Sequence, residues 1–156
     1  MINIRIISVS KPPRGAFAEL TETFQKHLKS FARLELVQVK EERFDSVTDR
    51  ERVQKLEAER LLAAVPDGSI VIVMDEHGKT MTSVEFSKKI QSYEDAGQSV
   101  CFLIGGPLGL SAEVKRRASW TLALSAMTLP HDLAHLVLLE QLYRAGTLIK
   151  GKTYHY

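Results

Sequence analysis

The chain has a single cysteine, Cys101, set inside an apolar run, so no disulfide can form within it. That excludes a small secreted scaffold stapled by disulfides and predicts a reducing compartment, the cytoplasm. No apolar stretch reaches the roughly 20 residues that a membrane-spanning helix requires. The opening run INIRIISVS carries Arg5 and stops at Lys11-Pro12-Pro13. It predicts a strand rather than a leader or a membrane segment. Charge of neither sign dominates: 21 Lys and Arg against 19 Asp and Glu leave a net charge of +2. A heavily basic nucleic-acid binder is therefore not indicated by charge. Lys115, Arg116 and Arg117 lie together, and Arg144, Lys150 and Lys152 lie towards the end, a pattern that charge alone reads as solvated surface. Repeats, low-complexity segments and linkers are absent, so residues 1–156 predict a single domain.

What is present is an alternation of apolar strands and helical patterns. Residues 2–9 and 34–39 read as strands, and residues 69–74 and 100–104 are continuous apolar runs of the kind buried in a parallel sheet. Phe17, Leu20, Phe24, Leu28 and Phe31 are spaced for a helix over residues 16–31. Val53, Leu56, Arg60 and Leu61 are spaced for one over 49–65, which Pro66-Asp67-Gly68 ends. Residues 40–48 are charged and aperiodic and predict a mobile loop, and residues 75–81 predict a second loop. Thr82 with Glu85 forms a capping-box pattern for a helix to Tyr93. Ser111 is placed to cap a short helix to about Ala118, residues 120–123 read as the last strand, and a helix from Pro130 or His131 runs to about Thr147. The class is α/β with a mainly parallel sheet and helices on both faces.

Two loops at strand ends are candidates for ligand binding. The first is Gly105-Gly106-Pro107-Leu108-Gly109, followed by the helix that Ser111 caps. It matches neither the dinucleotide fingerprint nor a phosphate-binding P-loop, since no Lys-Ser/Thr follows Gly109. Read from the residues alone it is either a tight strand–helix turn or a place where a ligand approaches the backbone. The second is Leu124, Ser125, Ala126, Met127, Thr128 and Leu129, apolar with two hydroxyls and no charge. It suits an adenine ring, or equally a buried connection into the last helix.

That last helix carries Leu133, Ala134, Leu136, Val137, Leu138, Leu139, Leu142 and Tyr143, apolar over more than one face. It is either the central core helix of a monomer or is covered on one side by a second subunit. His131 and His135 are four apart, near the zinc pattern H-E-x-x-H, but Asp132 takes the glutamate position and no third ligand has motif spacing. No metal is expected. Glu140 and Arg144 are spaced to pair with each other.

From residue 100 to the terminal TYHY, the chain closely resembles the SPOUT methyltransferases, and within them the RlmH type that methylates N3 of a pseudouridine in 23S large-subunit ribosomal RNA of assembled ribosomes. The matching residues include Leu129, Pro130, His131, Glu140, Gln141, Tyr143, Arg144, Ala145, Tyr154 and His155. The resemblance implies a C-terminal deep trefoil knot, which periodicity cannot reveal, and a homodimer in which the partner completes each site. It implies S-adenosylmethionine as cofactor, held by Met74, Gly105 and residues 124–129. Transfer from a sulfonium methyl needs positioning and removal of one N3 proton. His131 and His155 are candidate bases, Arg144 a phosphate contact and Tyr154 a base-stacking platform. Three positions depart from the family pattern: His135 stands for an arginine, Asp132 for a proline or glutamine, and Leu108 for a polar residue. The rival readings are a non-enzymatic RNA- or nucleotide-binding α/β module and a small hydrolase using His131 and His135.

Overall fold

The computed structural model describes residues 1–154. Strands β1 (Ile2–Val9), β2 (Ala32–Val39), β3 (Ile70–Lys79), β4 (Val100–Ile104) and β5 (Trp120–Leu122) form one sheet in the order β2-β1-β4-β3-β5. Every pairing is parallel. Helices α1 (Ala16–Leu28), α2 (Arg50–Ala63), α3 (Ser83–Asp95), α4 (Ala112–Arg117) and α5 (His131–Ile149) cover it. The α/β class and the helices on both faces are as the alternating pattern predicts.

The direction of each crossover decides which face its helix covers. The steps β1→β2 and β3→β4 run one way along the sheet, and the steps β2→β3 and β4→β5 run the other. A right-handed crossover puts the helices of opposite steps on opposite faces. Accordingly Leu28 of α1 and Phe86, Ile90 and Tyr93 of α3 pack with Ile4, Ile6, Ile72 and Phe102. Ala58 and Leu61 of α2 and Val114 of α4 pack with Ile7, Val71, Val73 and Leu103 on the other side. Odd and even residues of one strand thus feed two cores, which is why these strands read as unbroken apolar runs. Arg5, the break in the first run, points to the α2 face, where its guanidinium donates to the carbonyl of Ala64 at 2.9 Å and to Glu35. It satisfies an orphan carbonyl just past the end of α2.

Several boundaries differ from the sequence-based expectation. Helix α1 stops at Leu28, and Phe31 instead closes the turn by donating its N–H to Leu28. The buried stripe of α2 is Val53, Glu57, Ala58 and Leu61, while Leu56 and Arg60 flank it. Strand β3 does not end at Met74 but runs to Lys79 through a register irregularity, with Lys79 opposite Leu122 of β5. The charged segment 40–48 is held to α2: Arg60 donates to the Lys40 carbonyl and to Glu42, and Arg52 to the Arg43 carbonyl. The Thr82–Glu85 capping box is present with both reciprocal bonds, and the Ser111 hydroxyl accepts from Val114 N–H.

Helix α5 lies over the sheet between α1 and α3 and buries Leu138, Leu139, Leu142 and Ala145. At Gly146 the helix meets the turn after α1: a β-carbon there would sit 2.5 Å from the Phe31 ring. Substituting Gly146→Ala is therefore expected to destabilise the protein by about 1–3 kcal/mol, despite alanine's better helix propensity. Urea unfolding with an unchanged slope would measure it.

Candidate active site

Because β4, β3 and β5 are adjacent and parallel, their carboxyl ends leave the sheet side by side. The later part of β3 and the segments that follow β4 and β5 wall a single cleft of about 790 Å³, a size in the range of cofactor pockets. Its lining includes Met74, Gly105, Leu124, Ser125, Met127, Thr128, Leu129 and His131, so most of the residues singled out from sequence converge here. Ala126 is exposed and does not line it, and Met127 is 76% exposed at the rim.

Side-chain bonds fix the walls to each other. The Thr128 hydroxyl donates to the Glu76 carboxylate, which ties the 124–129 segment to the extension of β3. Ser125 accepts from Met127 N–H at 2.9 Å and shapes the same segment. Asp75 receives Lys115 of α4 at 2.5 Å and the His77 backbone N–H at 2.9 Å. Burial works against ionisation of Asp75, but the Lys115 ammonium and the two His77 contacts outweigh it and hold its carboxyl below the usual aspartate range. From the far side, Gln54 of α2 donates to the Leu108 carbonyl at 2.7 Å. Arg50, one turn earlier on α2, lines the same cleft.

The glycine loop needs its glycines for two different neighbours. A β-carbon on Gly105 would meet Leu110 at 2.7 Å and the Gly109 carbonyl carbon at 3.3 Å. Gly105 lines the cleft, and its missing side chain makes room for the loop's own Leu110. On Gly106 a β-carbon would meet Glu57 Oε2 at 3.0 Å.

The remaining candidates lie elsewhere in the protomer. Arg144 binds Glu140 through Nε at 3.0 Å and Nη2 at 2.5 Å. Tyr154 is not a loose end: its ring packs on Tyr143 at 4.6 Å between centroids and on the Arg144 guanidinium at 4.9 Å, and its hydroxyl donates to Glu140. The basic tail turns towards α1, with Lys150 donating to the Ser30 carbonyl and Lys152 over the Phe31 ring. Thirteen residues of α5 separate His131 from Arg144, about 20 Å at helical rise. His155 falls outside the described residues. The two imidazoles of the HDLAH run part company as well: His131 faces the cleft, and His135 is buried. No group of three His, Cys, Asp or Glu side chains suited to a metal occurs among the described residues. No helix among them is long and apolar enough to cross a membrane.

The side chains of α2 are what sequence reasoning missed. Glu57 stands in the apolar stripe between Val53 and Leu61, and a charge at that spacing was the available signal.

Two outcomes follow. Gly105→Val should cost about 2–3 kcal/mol of stability by displacing Leu110, so any loss of ligand binding should be accompanied by a lower Tm. His135 has its pKa lowered, chiefly by burial. Its neutral form is the native one, so the unfolded chain takes up the proton first as pH falls below the ordinary imidazole value of 6.5. Stability should fall from there down to the depressed folded value, and His135→Leu should flatten that part of the pH–stability curve.

Residues 2–155 match the family described as predicted SPOUT methyltransferase. The chain is 42% identical over 154 residues to ribosomal RNA large subunit methyltransferase H of Anaeromyxobacter sp. strain Fw109-5, covering 99% of each protein. It is 37% identical over 158 residues to the protein of the same name from Acetivibrio thermocellus, again covering 99% of each. Its fold is similar to a probable methylase family protein from Haemophilus influenzae Rd KW20, with a TM-score of 0.56 at 16% identity over 99% of this chain and 70% of that one. Sequence and fold agree, and the chain belongs to the SPOUT methyltransferase family.

Proposed function

We propose that the protein is an S-adenosylmethionine-dependent methyltransferase acting on N3 of a pseudouridine in 23S large-subunit ribosomal RNA, within assembled ribosomes in the cytoplasm. The names of its relatives support the ribosomal RNA substrate. The observation that carries the cofactor reading is the cleft itself, a single cavity walled by the ends of β3, β4 and β5. Its residues fit the group. Ile104, Leu122, Leu124 and Leu129 offer apolar walls for an adenine, and Ser125 and Thr128 offer hydroxyls. Met74, Gly105 and, of residues 124–129, the cleft-lining Leu124, Ser125, Met127, Thr128 and Leu129 would hold the cofactor. When bound, S-adenosylmethionine supplies an electrophilic methyl group. The chain's own part is to orient the nucleoside, exclude water and remove the N3 proton. His131, on the cleft wall, is the candidate for that proton, with His155 as the second imidazole. The reading also takes residues 1–156 as one domain, with the trefoil knot of the family in its C-terminal part.

The function requires a homodimer. Arg144 and Tyr154 are candidates for holding RNA, yet about 20 Å of helix separates Arg144 from His131 within a protomer. A partner related by two-fold symmetry can bring the second group to the first. Leu133, Leu136 and Val137 on α5 remain partly exposed, and Phe17 and Leu20 on α1 are exposed, which leaves apolar surface for such an interface. A monomer at micromolar concentration with full activity would contradict this.

The decisive test is complementation. His131→Ala and Arg144→Ala should each lower methyl transfer to ribosomes by about 10²-fold or more. Mixing the two inactive variants and allowing subunits to exchange should restore about one quarter of the wild-type rate, because each heterodimer keeps one intact composite site. No recovery would place both residues in one protomer's site. Mass spectrometry of large-subunit RNA from cells with and without the gene identifies the nucleotide; an unchanged spectrum would refute the substrate.

A further inference from the structure

Glu57 is a carboxyl group with no part in the chemistry proposed above. It lies on the buried stripe of α2 and is 3% exposed. One oxygen accepts the backbone N–H of Glu42 at 3.0 Å. The other, Oε2, is the buried side-chain polar atom without a hydrogen-bond partner among the described residues. Both oxygens point at Gly106: they lie 3.0 and 3.3 Å from where its β-carbon would be. Gly106 in turn lines the cleft. A buried, half-satisfied carboxyl therefore stands directly behind a residue with no side chain, on the wall of the site.

Such a group is costly in isolation. Burial, the largest influence, pushes its carboxyl up towards the neutral form, against the pull of the Glu42 N–H. The charged groups around it do not neutralise it. Glu41 and Glu42 share its sign, and Arg60, which acts on it at a distance, is bonded to Glu42 and the Lys40 carbonyl. Other carboxylates of the cleft are engaged: Asp75 by Lys115 and His77, Glu76 by Thr128. Negative charge at Glu57 would thus be answered by positive charge arriving in the cleft, and in a low-dielectric wall that attraction is felt across a glycine.

We propose that Glu57 is the counter-charge for the cofactor's sulfonium, acting from behind the backbone of Gly106 and distinguishing the methylated cofactor from its demethylated product. The proposal rests on the cofactor reading above. It gives the site a means of product release, because S-adenosylhomocysteine has lost the charge that Glu57 answers. The proton that leaves an un-ionised Glu57 when the cation binds passes to solvent.

The test is isothermal titration of the full-length protein with S-adenosylmethionine and, separately, with S-adenosylhomocysteine. Both ligands carry the same adenosine, amine and carboxylate, so their affinity ratio isolates the sulfonium. Glu57→Gln should weaken S-adenosylmethionine by about tenfold, or ~1.4 kcal/mol, and leave S-adenosylhomocysteine within about twofold. Glu57→Met fills the same space without a polar atom and should shift the ratio equally, so it serves if the glutamine variant does not fold. Equal weakening of both ligands would make Glu57 a structural support of the loop and overturn the proposal, as would an unchanged ratio. Binding of neither ligand by the wild-type protein would instead refute the cofactor reading on which the proposal stands.

Discussion

The candidate site depends on the parallel pairing of β3 with β4 on one side and β5 on the other. Parallel strands run to the same edge, so three stretches distant in sequence meet there: residues 75–77 in the later part of β3, and residues 105–109 and 124–129 after β4 and β5. An antiparallel partner at either position would have sent one of them to the opposite edge. The cost of the arrangement is that both sheet faces must be covered, and the chain meets it with alternate residues of β1, β3 and β4 feeding two separate cores. The site then needs little of its own. It is pinned by a few polar bonds, Thr128 to Glu76, Lys115 to Asp75 and Gln54 to the Leu108 carbonyl.

Helix α2 has a larger part in this than its position on the far core suggests. Its Arg50, Gln54 and Glu57 recur at i, i+4 and i+7 and so share a face turned to the glycine loop. Below them Ala58 and Leu61 belong to the apolar core. One helix thus supplies core packing through Val53, Ala58 and Leu61 and polar support for the site through Arg50, Gln54 and Glu57. The charged segment 40–48, bonded to α2 through Arg52 and Arg60, is drawn into the same assembly by the Glu42 N–H on Glu57.

Strands β1 and β4 were legible to the residue, because runs such as VCFLI admit few other fates in a chain that alternates with helical patterns. The capping residues Thr82 and Ser111 were legible for a local reason: a side-chain oxygen satisfying a helix N-terminus needs nothing from the rest of the fold. The extension of β3 was not, since Asp75 to Lys79 is polar and owes its strand conformation to pairing with β5 rather than to its own composition. Gly78 was the trace it left, for a β-carbon there would come within 2.8 Å of the Thr121 backbone. Gly105 and Leu124 were legible as positions just past apolar strands, while the cofactor role of these residues and of Met74 came from the family resemblance; what Gly105 touches was not legible, because that depends on how its loop folds back on Leu110.

Helix α5 explains why the sequence grouped residues that one protomer keeps apart. Its first turn belongs to the cleft through His131 and Ala134, and its last turns belong to a separate cluster of Tyr143, Arg144, Glu140 and Tyr154. A rigid helix cannot bend its two ends together, and Leu138, Leu139 and Leu142 hold its middle against the sheet. If both ends serve one reaction, the distance has to be closed by symmetry instead of by flexibility. In the homodimer proposed above, a two-fold axis near the middle of the helix would do this, carrying each protomer's C-terminal cluster towards the other's cleft. The partly exposed Leu133, Leu136 and Val137 lie on the length of α5 between the two sites. In such a dimer the apolar excess of the helix, its length and the separation of its polar ends would share one physical cause.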